Sequence, residues 1–162
     1  MERIMGEIVL VRIDDRLIHG QVMTAWVKET GANQIIIVDD EVSKDLFMSE
    51  VMKASAPVGV TINVESVESS LPIINDIQNN NNKVIILSKG PKTILSLLKN
   101  GIKFKKVIIG GMGINSERTT LYKNIAATDE ERNAIKEIMN MGTEVTIHII
   151  PSQKEVNVEK FV

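Results

Sequence analysis

The sequence predicts an α/β fold of the doubly wound type, in which a mostly parallel open sheet carries helices on both faces. Short apolar runs rich in Ile and Val recur along the chain, longer amphipathic stretches lie between them, and glycines stand near the expected boundaries. Alternation of strand and helix is typical of right-handed crossovers, which build a parallel sheet between two helical layers.

Each element follows from its own pattern. Nearly continuous apolar runs predict strands buried on both faces, at Ile8–Ile13, Gln34–Val38, Val58–Val64, Lys83–Leu87, Val107–Ile109 and Glu144–Ile150. Amphipathic stretches predict helices at Gly20–Glu29, Ser43–Ala54, Val67–Gln78, Pro91–Asn100 and Asp129–Met141. After Pro151, the alternating stretch Val156–Val162 predicts a last edge strand, for which antiparallel pairing is open.

Length and composition exclude several classes of protein. The 162 residues fit one domain spanning residues 1–162, and 19 Lys plus Arg against 21 Asp plus Glu argue against a nucleic-acid partner. The sequence has no cysteine, which excludes disulfides, thiolate metal sites and cysteine nucleophiles. Its apolar runs are too short to cross a bilayer and no secretory leader opens it, so we expect a cytoplasmic protein without direct membrane insertion.

The loop after the first predicted strand carries the most chemistry. Ligands of open α/β sheets bind beyond the carboxyl ends of the strands, and here Asp14, Asp15, Arg16 and His19 crowd that position. His19 falls at the start of the predicted helix from Gly20, where free backbone N–H groups and the helix dipole favour an anion. A neutral imidazole is a nucleophile, so the loop predicts a phosphate-carrying histidine.

Plainer interpretations stay open at this point. An isolated loop histidine is usually a solvated or capping side chain, and Asp14 and Asp15 suit a turn or a helix cap. A magnesium site of Asp14 with Asp39 and Asp40 has the right ligand type, although no spacing enforces it. His148 lies in a late apolar run and favours a core or edge position. The glycine run 110–113 only loosely resembles a phosphate loop.

At RIDDRLIHGQV, residues 12–22, the sequence resembles the enzyme IIB component of the mannose, fructose and sorbose family of phosphoenolpyruvate-dependent sugar phosphotransferase systems. The resemblance continues through VDDEVSKD, ASAPVGV, KGPKT and GGMG, and so runs along the whole chain. It implies that His19 accepts a phosphoryl group from a phosphohistidine on the IIA protein or domain, which we expect to be a separate chain. The group then passes to a sugar of the mannose, fructose, sorbose or N-acetylgalactosamine type during uptake through the membrane subunits IIC and IID.

The resemblance implies a protein-N-phosphohistidine–sugar phosphotransferase that needs no cofactor or metal and associates peripherally with the membrane transporter. It also implies the strand order 3-2-1-4-5-6-7, which brings the loops after the first and fourth strands to one crevice. Arg16 and Arg12 are the expected donors to the phosphoryl oxygens, and Asp14 is expected to orient the imidazole or an arginine. The remaining expected phosphate-binding residues are Leu17, Ile18, Gly20, Gln21, Ser88 and Lys89. The rival function is a non-catalytic module that senses a ligand or nucleotide, which the fold alone allows equally well.

Overall fold

The structure is a computed structural model that describes residues 6–162, and it confirms the α/β fold class. The strands of its main sheet are β1 (Glu7–Asp14), β2 (Gln34–Val38), β3 (Thr61–Glu65), β4 (Lys83–Ser88), β5 (Lys106–Gly111), β8 (Glu144–Ile147) and β9 (Val156–Asn157). The helices are α1 (Gly20–Thr30), α2 (Leu46–Ala54), α3 (Val67–Asn75), α4 (Pro91–Lys99) and α5 (Asp129–Asn140). Short 3₁₀ turns follow β2, α3 and β9.

The strand order differs from the predicted one. The main sheet runs β3-β2-β4-β1-β5-β8-β9, so β4 lies between β2 and β1 where the prediction placed β1 beside β2. All pairs are parallel except that of β8 with β9. The predicted tail strand Val156–Val162 is a strand only at Val156–Asn157, and a 3₁₀ turn follows at Val158–Lys160. The predicted contact of β1 with β4 is present, and the other neighbour of β1 is β5.

Helices cover both faces of the sheet, which buries alternate residues of each strand on opposite sides. One apolar cluster joins Met23 of α1 and Met52 of α2 to the sheet. The other joins side chains of α3, α4 and α5 to the opposite face. The connection from β1 to β2 therefore crosses one face of the sheet, and the connection from β4 to β5 crosses the other. Because β1 and β4 are neighbours, a crevice forms between the loops at their carboxyl ends.

A small hairpin between β5 and α5 was not predicted. It consists of β6 (Thr119–Tyr122) and β7 (Ile125–Ala127), paired antiparallel in a separate sheet. Thr119 and Thr120 are exposed and β7 is only a short apolar segment, so neither strand shows a clear two-residue alternation. No helix of the described residues is long and apolar enough to cross a membrane.

Candidate functional site

The end of β1 lies between two other loops at the carboxyl edge of the sheet. Ile13 pairs with Ser88 of β4 on one side, and Asp14 pairs with Gly111 of β5 on the other. The loop from Asp15 to His19 therefore emerges between the loop that begins at Lys89 and the glycine-rich loop after β5. The site thus forms from the loops after β1, β4 and β5.

His19 is exposed and occupies the N-cap position of α1. Within residues 6–162, no side chain caps this helix, and its first turn contains no acidic residue. By contrast, side chains of Asp45, Ser66 and Thr128 cap α2, α3 and α5. The partial positive charge at the amino end of α1 is therefore left for an anion from outside.

Asp14 is a buried carboxylate that organises the basic groups of the loop. Its oxygens accept hydrogen bonds from the backbone N–H of Arg16 at 3.0 Å and from the side chains of Arg16 and Arg12. Burial alone raises the pKa of Asp14, but the hydrogen bonds from Arg16 and the charges of both guanidiniums outweigh it and leave that pKa below its usual range. Asp14 thus remains ionised and holds the Arg16 side chain by two hydrogen bonds.

Arg16 is held at one edge by Asp14 and open at the other. Its Nε and Nη2 donate to the two Asp14 oxygens at 3.0 Å each, and these bonds raise the pKa of Arg16. The side chain is nevertheless 43% exposed, and its Nη1 has no partner within residues 6–162. A fixed guanidinium with a free donor edge is suited to binding phosphoryl oxygens.

Arg12, predicted as a second donor to the phosphoryl oxygens, lies in the protein interior with 0% exposure. Its Nη1 donates to the carbonyl of His148 at 3.0 Å, its Nη2 lies 3.3 Å from Asp14, and its guanidinium carbon lies 5.6 Å from the centre of the Trp26 ring. Burial lowers the pKa of Arg12, and Asp14 offsets this only partly. Arg12 therefore contacts the site through Asp14, and no exposed part of it faces solvent.

The glycines after Ile109 make this burial feasible. A Cβ atom on Gly110 would lie 1.9 Å from the guanidinium carbon of Arg12, and one on Gly111 would lie 2.5 Å from an Asp14 oxygen. The register between β1 and β5 also skips Gly110, which is a bulge beside the site. The glycine run is therefore required for close approach of side chains.

Some of the backbone N–H groups predicted to bind phosphate are free to donate to a ligand, and one is not. The N–H of Leu17 donates to the carbonyl of Asp14 at 2.9 Å, and the Leu17 side chain is buried in the core with a φ of 57°. The N–H groups of Ile18, Gly20 and Gln21 donate to no group within residues 6–162. Leu17 thus anchors the loop, while the other three N–H groups remain open to a ligand.

The two predicted phosphate-binding residues at the carboxyl end of β4 differ in whether a ligand could reach them. The hydroxyl of the buried Ser88 donates to the carbonyl of Gly90 at 3.0 Å. Lys89 is half-buried and makes no ion pair with the described residues. Lys89 can therefore supply positive charge at this edge, whereas Ser88 shapes the turn.

The side chains of Asp39 and Asp40 accept hydrogen bonds from backbone N–H groups, and they do not form a metal site with Asp14. Asp39 accepts hydrogen bonds from Glu41 and Val42, and Asp40 accepts one from Val67. Asp14 is paired with two arginines. Among the described residues, no three carboxylate, imidazole or thiol groups form a cluster that could hold a metal ion.

Arg118 is a functional candidate that the sequence did not indicate. It lies just before β6 and pairs with Asp15 of the first loop at 2.8 Å and with Glu131 of α5 at 2.9 Å. No strand or helix was predicted between Ile109 and Asp129, the part of the chain that contains Arg118. The spacing Thr128 to Glu131 could have indicated the capping box that starts α5, but not its arginine partner.

Comparison with known proteins is consistent with this geometry. A family model described as PTS system sorbose subfamily IIB component matches residues 8–162. The chain belongs to this family. It is a phosphoryl carrier of sugar uptake and a phosphotransferase-system component, and the rival sensing function is not favoured.

Relatives extend along nearly the whole chain. The sorbose-specific EIIB component of Lacticaseibacillus casei is 36% identical over 143 residues, covering 88% of this chain and 87% of its own. The crystal structure of the IIBSor domain of the sorbose permease from Klebsiella pneumoniae has a TM-score of 0.90 at 31% identity, with 95% of this chain and 94% of that one covered. The mannose-specific EIIAB component of Escherichia coli K12 is 32% identical over 147 residues, which are 91% of this chain and 46% of that relative.

Proposed function

We propose that His19 accepts the phosphoryl group from a phosphorylated IIA protein or domain and passes it to a sugar taken up through IIC and IID. The observation that carries this proposal is the exposed imidazole at the amino end of α1, which no side chain of the described residues caps. A phosphate bound to that imidazole gains the helix dipole and free N–H donors.

The transfer needs no net movement of a proton. The lone pair on the unprotonated ring nitrogen of His19 attacks phosphorus in line, and the bond from phosphorus to the donor imidazole breaks. The electron pair of that bond stays on the donor ring. The charge that spreads over the three phosphoryl oxygens calls for positioned positive groups more than for covalent assistance.

Arg16 is the principal charged donor in this mechanism. Asp14 fixes two of its donor atoms, so the free Nη1 edge is presented without reorganisation during the transfer. Arg12 contributes indirectly because it holds Asp14. The N–H groups of Ile18, Gly20 and Gln21, together with the ammonium of Lys89, complete the proposed phosphate site.

The proposed partners follow from the family. A IIA donor is supported by the Escherichia coli mannose relative, whose name, EIIAB, combines an A part and a B part. We further propose that residues 1–162 act as one cytoplasmic domain, associated peripherally with the IIC and IID subunits. The exposed side of the His19 loop is the region that must face both partners in turn.

The test uses the two histidines of the sequence, His19 and His148. The purified chain is incubated with phosphoenolpyruvate, the general phosphotransferase proteins and a IIA partner, and intact mass is measured after acid and alkaline treatment. We expect one acid-labile, alkali-stable phosphoryl group in the native chain and in His148→Gln, and none in His19→Ala. A circular dichroism spectrum identical to that of the native chain establishes that His19→Ala is folded.

The two variants are a matched pair because each removes one imidazole, and only the imidazole of His19 lies at the open end of α1. Label retained by a folded His19→Ala would overturn the assignment of the acceptor. Loss of label from a folded His148→Gln alone would transfer that role to His148.

A further inference from the structure

The Arg118 side chain joins three separate segments around the phosphoryl-transfer loop. Its Nη1 donates to Asp15 at 2.8 Å and to the carbonyl of Gly113 at 3.0 Å. Its Nε and Nη2 each donate to one oxygen of Glu131 at 2.9 Å. With 12% of the side chain exposed, Arg118 thus links the loop after β1, the loop after β5 and the first turn of α5.

Both carboxylates of this network are themselves anchored by backbone groups. Asp15 accepts a hydrogen bond from the N–H of Gly113 at 2.8 Å, and Glu131 accepts one from the N–H of Thr128 at 3.0 Å in the capping box of α5. Hydrogen bonds from Arg118 hold the pKa of Glu131 below its usual range although burial raises it. The network therefore connects the first turn of α5 to Asp15, the residue beside Asp14.

The geometry separates the role of Arg118 from that of Arg16. All three guanidinium nitrogens of Arg118 donate to protein oxygens, in four hydrogen bonds, so it has little donor capacity left for a phosphoryl group. Leu17, in the loop that Arg118 contacts, adopts a φ of 57°, which non-glycine residues rarely do. Such a strained conformation persists only where contacts from the surrounding structure stabilise it. Arg118 contacts the loop only two residues before Leu17, at Asp15.

We propose that Arg118 is a positioning residue for phosphoryl transfer: by holding Asp15 it fixes the loop that presents Arg16 and the open end of α1. The inference rests on the proposed role of His19 as acceptor. It concerns the orientation of the loop, and Arg118 does not itself contact the phosphoryl group. Loss of the bridge removes neither His19 nor Arg16, but it lets the loop that carries both residues move relative to the donor.

The test measures the rate of a single phosphoryl transfer from phosphorylated IIA, over a range of IIA concentrations, for Arg118→Gln, Asp15→Asn and the double variant. We expect Arg118→Gln to lower the maximal rate about tenfold or more, since small misplacements of reacting groups are costly. The IIA concentration at half-maximal rate is expected to change less than about twofold, because only 12% of the Arg118 side chain is exposed to a docking partner.

Two controls separate positioning from general destabilisation. Arg132→Gln removes another arginine that ties α5 to β6, through Thr119 and Thr120, without touching the first loop. Asp15→Asn should impair the transfer much as Arg118→Gln does, and the double variant should be no slower than the worse single one, because both act through one bridge. Urea midpoints identify any loss of folded protein in each variant.

Additive losses in the double variant, or a rate for Arg118→Gln equal to that for Arg132→Gln, would overturn the positioning role. Failure of the proposed acceptor appears differently, as phosphorylation of the folded His19→Ala chain. A slow Arg118→Gln that still reaches full phosphorylation at His19 would support positioning. Recovery of part of the rate in Arg118→Lys, which keeps the charge but not the forked geometry, is also expected.

Discussion

The burial of Arg12 depends on the absence of a side chain at Gly110. The guanidinium carbon of Arg12 lies where a Cβ atom on residue 110 would come within 1.9 Å. Its bonds to the carbonyl of His148 and to Asp14 satisfy part of the buried charge, and Trp26 covers one side of it. A buried guanidinium is tolerated only with such partners, so displacing it is expected to disturb Asp14 as well.

Gly110→Ala is therefore expected to destabilise the protein by about 1–3 kcal/mol, the usual cost of overpacking a filled interior. The measurement is the free energy of unfolding from urea titration. Gly113→Ala is the matched control, because its Cβ would lie 3.7 Å from Asp15, in ordinary contact. We expect that control to stay within about 0.5 kcal/mol of the native chain. Equal urea midpoints for the two variants would contradict this account.

Among residues 6–162, the helices begin in different ways. Capping side chains and acidic first turns complete α3 and α5, whereas α1, which begins after His19, and α4, which begins after Gly90, have neither. Capping residues stabilise a helix by roughly 1 kcal/mol, so leaving α1 without one costs stability in the unphosphorylated protein. On the proposed role of His19, a phosphate on its imidazole would supply the counter-charge for this end of α1.

Gln21→Glu should disfavour phosphorylation because it places a permanent negative charge in the first turn of α1. A charge at a helix end is worth about 0.3–1 kcal/mol, so we expect the equilibrium ratio of phosphorylated to free chain to fall about two- to fivefold. The measurement is the fraction phosphorylated at equilibrium with a IIA partner, by intact mass.

Lys28→Gln is the control for net charge. It lowers the charge of the chain by the same single unit, but in the last turn of α1, at the opposite end from His19. We expect its phosphorylation equilibrium to remain close to that of the native chain. An equal fall in both variants would show that net charge, and not the amino end of the helix, governs the effect.

At the scale of the whole molecule, strands were easier to predict than their arrangement. The bounds of β2 agree with the prediction because a continuous apolar run ends sharply at Asp39. The prediction began β3 too early, since Val58 is apolar but fully exposed before the strand. Hydrophobic patterns do not determine strand order, because every central strand is buried on both faces and has a similar pattern. Right-handed crossovers that skip different numbers of strands are also compatible with the same sequence.

The site shows the same division between local and distant information. His19 at the start of α1 could be predicted from the loop and the helix that follows it. Arg118 could not, because Asp15 is 103 residues away in the chain and the intervening hairpin has no clear alternation. The burial of Arg12 likewise depends on Trp26, His148 and Gly110, which only the folded sheet brings together.

Acid should destabilise the folded protein through the buried carboxylates of this site. The pKa values of Asp14 and Glu131 are lower in the folded chain than their usual ranges, despite burial that raises them, because Arg16 and Arg118 hydrogen-bond to them. An unfolded carboxyl titrates near 4, so these groups contribute stability above about pH 4 that is lost as pH falls through their folded pKa values.

Glu131→Gln should therefore flatten the pH dependence of stability. Urea midpoints measured from pH 3 to pH 7 are expected to rise less steeply with pH than in the native chain, because one fewer group takes up a proton on unfolding. The difference in free energy of unfolding between the two chains should be largest near pH 7 and shrink toward pH 3. Glu68→Gln is the control, since Glu68 is an exposed carboxylate in the first turn of α3. A difference that stays constant across this pH range would mean that Glu131 contributes packing alone, and that its ion pair with Arg118 adds nothing that depends on protonation.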